Sequence, residues 1–486
     1  MTTILSIDQG TSGTKAVLTD ERLEPLAVAL HDVRPRYLPG GGVEQDPAAL
    51  LDSVLSAGRE AVARAGRAPD VVALANQGET VLAWDPDTGR PLSPAIVWQD
   101  RRAGSVTGPL APRAAEVAAR TGLPLDPYFS APKMAWLRAH VTTEGVVTTT
   151  DSWLLHHLTG AFVTDVTTAS RSLLLDIDRL DWDTDLLGLF GLGDERLPRL
   201  VRCDEPVGTT TAFGPPATVA GLVVDQQAAL IAEGCLTPGT AKCTYGTGAF
   251  LLANTGSEAV RSSGGLALSC AWRTAGESAY CLDGQVYTAG SAVRWLTDMG
   301  LLASAADLDT AAAGGSGGAL CVPAFAGLAA PWWSPGAGAR FEGLALATRP
   351  GHLVAAVLEG IAAQVATLCA TVVRDTGAPV GALRADGGLT RSRALLQAQA
   401  DLAQIPVEAH PSEHATALGA AALARLALEP GLGLAGAAPA KPPSAVVTPR
   451  WSADRAADHL ARWQAAAGAA AAAAPHPAPY AQGATA

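Results

Sequence analysis

The segment Ile4-Leu5-Ser6-Ile7-Asp8-Gln9-Gly10-Thr11-Ser12-Gly13-Thr14-Lys15 joins an apolar run to a carboxylate, two glycines and several small hydroxyls. Glycines after the acid permit positive φ and bring backbone N–H groups close to an anion, and the hydroxyls add donors. The pattern predicts a phosphate-binding turn, with Asp8 at the strand end able to hold Mg²⁺ through water, because that ion prefers oxygen ligands and keeps much of its hydration shell. A β-hairpin with an ordinary polar turn accounts for the same residues. A second copy follows at Lys242-Cys243-Thr244-Tyr245-Gly246-Thr247-Gly248-Ala249-Phe250-Leu251-Leu252, again strand, glycine turn and returning strand. Two such hairpins about one domain length apart predict two related halves that share an anion between them.

Further polar clusters sit where strands end. Asn76-Gln77-Gly78-Glu79-Thr80 follows the apolar run 71–75, at a carboxyl end where α/β proteins place ligands, and Glu79 can accept hydrogen bonds from substrate hydroxyls. Ile96-Val97-Trp98-Gln99-Asp100-Arg101-Arg102 offers Trp98 as an apolar wall for the carbon face of a polyol, or as a plain core residue beside a surface arginine pair. Asp225 stands between an apolar run and a helix. It is placed to take a proton from an attacking hydroxyl, a role compatible with capping that helix. In Asp386-Gly387-Gly388 the glycines let a flat base approach the backbone, and an ordinary turn explains them equally.

The elements that must position these residues alternate between short apolar runs, such as 71–75 and 95–98, and helical patterns such as Pro47 to Ala63, which predicts an α/β fold. A length of 486 residues predicts two domains, with a boundary in the low 230s giving 1–232 and 233–463. Gly314-Gly315-Ser316-Gly317-Gly318 reads as a surface loop. From Gln464 the chain turns Ala-rich and then Pro-rich, and 464–486 is expected to be a tail that extends a helix and then loses order. A hydrophobic share of 48% with 16% charged residues predicts a well-packed protein, and a net charge of −12 argues against nucleic-acid binding. The seven cysteines lack Cys-x-x-Cys spacing and are odd in number, as expected of reduced thiols in the cytoplasm. Neither a signal peptide nor a membrane span is expected, no apolar stretch outside the alanine-rich tail reaching roughly 20 residues.

In this order the segments resemble the FGGY family of carbohydrate kinases from about residue 4 to about 425. Carrying the resemblance are Asp8 to Ser12, Asp85 to Pro91, Ala95 to Arg102, Asp126 to Ser130, Asp225 to Leu230, Thr244 to Gly248 and the stretch Ala339 to Glu359. It implies two actin-like (ribonuclease H-like) domains flanking a nucleotide and substrate cleft, with ATP and Mg²⁺ as cofactors. Asp225 would be the base, and it would share metal positioning with Asp8. Thr11, Ser12, Thr14 and Lys15 would face the phosphates together with Gly246, Thr247 and Gly248, while Gly290, Gly387, Gly388 and Ser392 would surround the nucleotide. Glu79, Trp98, Tyr128, Asp225, Gln226 and Phe250 would line the acceptor pocket with Gly78, which stands where the glycerol-using members carry arginine. The implied reaction is phosphorylation of a terminal hydroxyl of a small polyol, glycerol first. The alternatives are a longer polyol or ketose (erythritol, xylitol, xylulose) and a catalytically silent regulatory protein; a homodimer or homotetramer is the implied assembly. Departures include Val224 in place of a glycine, Ser392 in place of an asparagine, Ser334 and Gly338 in place of an Asp and an Arg, and no recognisable fructose-bisphosphate control loop before Gly221.

Overall fold

Runs that are apolar on both faces suit central strands covered on two sides. In the computed structural model, which describes residues 2–438 and 441–474, Ile4–Gln9 and Val71–Asn76 pair in parallel at the middle of a six-stranded sheet. Gly13–Thr19 and Pro25–Asp32 extend it antiparallel on one side. Ala217–Val224 joins in parallel on the other side, and Gly208–Thr210 closes that edge antiparallel. The second half repeats the plan. Ala241–Tyr245 is antiparallel to Ala249–Gly256, which pairs with Ser278–Val286, and it is parallel to Leu383–Asp386. Val407–Ala409 follows in parallel and Ala445–Val447 closes the edge. Both glycine turns fall at one place in this plan, between the first strand and its antiparallel neighbour. The repeat inferred from two hairpins is therefore a repeat of whole sheets.

Local chemistry sets the flanking elements. Asp46 caps the helix Pro47–Ala65 by accepting the Ala48 N–H at 3.0 Å, Pro47 fits the first turn, and Gly66 ends it at φ 64°. A second sheet in the first half, built from Arg36–Leu38, Gly42–Gln45, Ala95–Ile96, Val81–Trp84 and Val146–Thr149, carries the loops at Glu79 and Trp98.

The two halves meet through the helices Asp225–Ala232 and Ala415–Leu428, whose alanines pack with Ile4, Val71 and Val223 of the first sheet. A Cβ on Gly419 would lie 1.8 Å from the Ala228 carbonyl oxygen, so only glycine lets the helices cross this closely. The helix Pro350–Thr376 is long and apolar enough to cross a membrane, contrary to the expectation that no such stretch exists; most of it is buried inside the second half. The tail extends a helix, as expected. Residues 464–472 complete the helix Ala453–Ala472 and bury Ala466, Ala467 and Ala470 beside Trp463, while 475–486 lie outside the described residues. The glycine-rich stretch 314–318 is a loop, as expected.

Candidate active site

The first turn closes through the Gly10 N–H to the Gly13 carbonyl at 3.0 Å, and Asp8 pairs across it with Lys15. Thr11 and Ser12 line a cleft cavity of about 230 Å³. Thr14 does not. Along a strand alternate side chains face opposite ways, so Thr14 shares a face with the buried Ala16 and Leu18, and its hydroxyl lies 2.6 Å from Ser53 Oγ in the core. Replacing Thr14 with valine is expected to cost about 1 kcal/mol of stability while leaving the KM for nucleotide unchanged, which a thermal melt and a nucleotide titration would check. Lys15 donates to the Glu413 carbonyl at 3.0 Å and so ties the first turn to the second half.

Gly246, Thr247 and Gly248 line the same cavity from the opposite side. Their turn is pinned to the helix Gly290–Asp298 by the Gly290 N–H to the Gly246 carbonyl and the Ala289 N–H to the Thr247 carbonyl, both at 2.9 Å. Gly387 adopts φ 92° with the Tyr245 carbonyl 2.5 Å from where its Cβ would stand, so the backbone of the Asp386-Gly387 corner lies directly on this turn. Gly388 opens a short 3-10 helix beside it. Ser392 is a correction: it is buried, donates to Asp309 Oδ1 at 2.7 Å and caps the helix Arg393–Ala403, so its hydroxyl is committed within the fold.

The residues expected on the acceptor side gather on the remaining walls. Trp98 packs edge-on against Tyr128 at 5.5 Å and Phe250 at 6.0 Å, so the aromatic wall draws on both halves. The Trp98 indole N–H donates to Thr11 Oγ1 at 2.8 Å and joins this wall to the first turn. Gln226 accepts from the fully buried Lys242 at 2.6 Å. Glu79 lies 4% exposed at φ 58°, an uncommon backbone state outside glycine, and is held by Arg171 Nε at 2.6 Å. Arg171 also meets Asp283 Oδ2 at 2.7 Å and donates to Ser269 Oγ at 2.8 Å. Its guanidinium lies over the Tyr128 and Phe129 rings. Burial pushes the Glu79 carboxyl up to about 7 against the pull of Arg171. Behind the wall, the Lys133 ammonium, pushed down to about 7 by burial, donates to the carbonyls of Pro127, Tyr128 and Phe129 and fixes that corner.

Asp225 borders both regions. It is the first residue of its helix, with Val224 in the capping position, and its Oδ1 accepts the Gln226 N–H at 2.7 Å. Desolvation in the cleft, then the charge of Asp8, push its carboxyl up to about 7. Asp8 is pushed up to about 6 by desolvation, opposed by Lys15 and assisted by Asp386. Asp386 Oδ1 is buried without a hydrogen-bond partner. Crowded carboxylates and an unpartnered acid oxygen suit a divalent cation. Among the described residues no group of three or more His, Cys, Asp or Glu side chains is arranged to hold a metal directly.

Sequence reasoning missed Arg171, Asp283 and Gln99, all of which line the cavity. A lone arginine in Thr167 to Leu175 and a lone acid in the strand Ser278–Val286 were the available signals, since a charge that becomes buried is rarely left without a partner.

Residues 3–232 match the N-terminal domain, and 241–428 the C-terminal domain, of the FGGY family of carbohydrate kinases. The glycerol kinase of Thermus brockianus is 44% identical over 437 residues, covering 86% of this chain and 88% of that protein. That of Aromatoleum aromaticum is 40% identical and covers 96% of this chain and 98% of that protein. Among solved structures, Plasmodium falciparum glycerol kinase with ADP is similar at TM-score 0.88 and 31% identity, covering 97% of this chain and 98% of that one. A xylulose kinase from Lactobacillus acidophilus reaches TM-score 0.89 at 22% identity, covering 98% of this chain and 99% of that one, a likeness of fold. The fold is the actin-like, ribonuclease H-like one.

Proposed function

Since this chain belongs to the FGGY family of carbohydrate kinases and is an ATP-dependent kinase of sugars or polyols, we propose that its cleft phosphorylates a terminal hydroxyl of glycerol. The reading rests on Asp225, which lines one cavity with the acceptor wall of Glu79, Trp98 and Tyr128 and with both glycine turns. Its carboxylate takes the proton of the acceptor hydroxyl as that oxygen forms a bond to the γ-phosphorus of ATP. The bond to the β,γ-bridging oxygen breaks and ADP leaves. Phosphoryl transfer needs alignment and charge neutralisation above all, to which N–H groups of the two turns would contribute. Mg²⁺, when bound near Asp8 and Asp225, adds neutralising charge.

Seven buried, unpaired thiols suit a reducing compartment, and we place the reaction in the cytoplasm. Closure of residues 1–232 against 233–463 would exclude water from the transfer. ADP release measured over C3 to C6 polyols and ketoses, with Asp225→Asn as control, tests the reading. Glycerol should head the series. No turnover above the control with any acceptor would leave a silent nucleotide-binding protein, and a C4 or C5 acceptor at the head would replace glycerol.

A further inference from the structure

Gly78 faces the acceptor cavity, and its backbone does not occupy the left-handed region, so conformation does not explain the glycine. Sterics do. A Cβ at this position would stand 2.9 Å from Val224 Cγ2 and meet nothing else within 4 Å. Val224 is 3% exposed, ends the strand Ala217–Val224 opposite Asn76, and is fixed by donation of its N–H to Thr167 Oγ1 at 2.9 Å. The valine therefore takes the space that a side chain at 78 would need.

We propose that Gly78 and Val224 form a size-matched pair that determines acceptor specificity. At these two positions the cavity wall carries no side-chain hydrogen-bonding group, so the acceptor hydroxyl against it goes unread. This rests on the polyol kinase reading above. The next residue, Glu79, belongs to a polar part of the cavity in which it is joined to Asp283 through Arg171, while Asp283 Oδ1 is buried without a hydrogen-bond partner. A wall built to hydrogen-bond a hydroxyl rejects an analogue lacking it by about 10⁴-fold or more, because buried polar groups are left unpaired, whereas an apolar wall discriminates only about 10–200-fold. The acceptor class is thus a small neutral polyol in which one non-reacting hydroxyl is essential and another is replaceable by hydrogen. An arginine cannot simply be restored at 78, since its Cβ meets Val224.

The test compares kcat/KM for glycerol, 1,2-propanediol and 1,3-propanediol with the unaltered protein. One diol should be used within about 200-fold of glycerol and the other fall by about 10⁴-fold. Equal rejection of both would overturn the proposal, whereas no turnover even of glycerol would instead defeat the kinase reading beneath it. Gly78→Ala should lower kcat/KM for every acceptor, and Val224→Ala in the same chain should restore it. Additive losses would show that the two positions are not matched. The pair Gly78→Arg with Val224→Gly should widen the gap between glycerol and the tolerated diol by at least about 10-fold, and an unchanged gap would count against the unread wall.

Discussion

Replacing Asp225 with asparagine is expected to lower kcat for ADP formation by about 10²–10⁴-fold, with a smaller change in KM for the nucleotide. Asparagine keeps the shape of the side chain and the contact with the Gln226 N–H, but it cannot accept a proton. The pH profile carries the same assignment. A base must be ionised to act, and Asp225 is pushed up to about 7, so kcat/KM should rise with pH toward that value. Because Asp8 interacts with it, the observed midpoint belongs to the pair, and bound Mg²⁺ would draw it lower. Stability should move the opposite way to activity. The folded-state pKa of Asp225 lies above the usual carboxylate range, so keeping it ionised opposes folding. That cost is fully present above about pH 7 and is lost as the pH falls toward 4. Asparagine carries no such cost. The variant should therefore melt higher than the unaltered protein at pH 8, with the difference shrinking at pH 5. A variant that melts lower at pH 8 would contradict the electrostatics, and one that keeps its rate would remove Asp225 from the chemistry.

Arg171→Met is expected to be the most damaging change away from Asp225. The guanidinium is buried between two buried carboxylates, Glu79 and Asp283, and breaking such a set from one side costs about 3–5 kcal/mol because charge is left without a partner. Burial works against the charge of Arg171, but the two carboxylates hold it protonated well above the ordinary range. Both carboxyls should take up protons in the variant, and the acceptor wall should lose its order. Thermal melts and kcat/KM report the two effects separately. Adding Glu79→Gln and Asp283→Asn to Arg171→Met should recover much of the stability by removing the orphaned charges, without recovering turnover. If the triple variant regained activity, the ion set would be a structural device alone.

The two glycine turns were legible because their signal is local: apolar run, acid or hydroxyl, glycines, apolar run. Asp225 and Glu79 were legible for a related reason, as polar residues just beyond strand ends. Thr14 was misplaced by reading the hydroxyls of the first turn as one group, although strand alternation already sends Thr14 and Lys15 to opposite faces. Ser392 belongs with it, since only the approach of Asp309, 83 residues away, reveals that its hydroxyl is occupied. Arg171 offered only the weak signal of a lone arginine, and its partners could not be read. Its partner Glu79 is 92 residues distant and Ser269 is 98, and neither separation follows from any periodicity. Gly78 was noticed as a departure, but its meaning required Val224, which only the parallel pairing of Val71–Asn76 with Ala217–Val224 brings alongside.

The helix Ala415–Leu428 packs on Ile4–Gln9, Val71–Asn76 and Ala217–Val224, strands of which even the last is complete 191 residues before the helix begins. During synthesis the first sheet is thus finished long before the cover for one of its faces leaves the ribosome. Chains commonly fold domain by domain from the N-terminus as they emerge. Here the nascent chain must carry Ile4, Val71 and Val223 without their alanine-rich partner until Ala415–Leu428 has been made. A chain that stops short of Ala415 lacks part of its first half, even though every residue of that half has been translated.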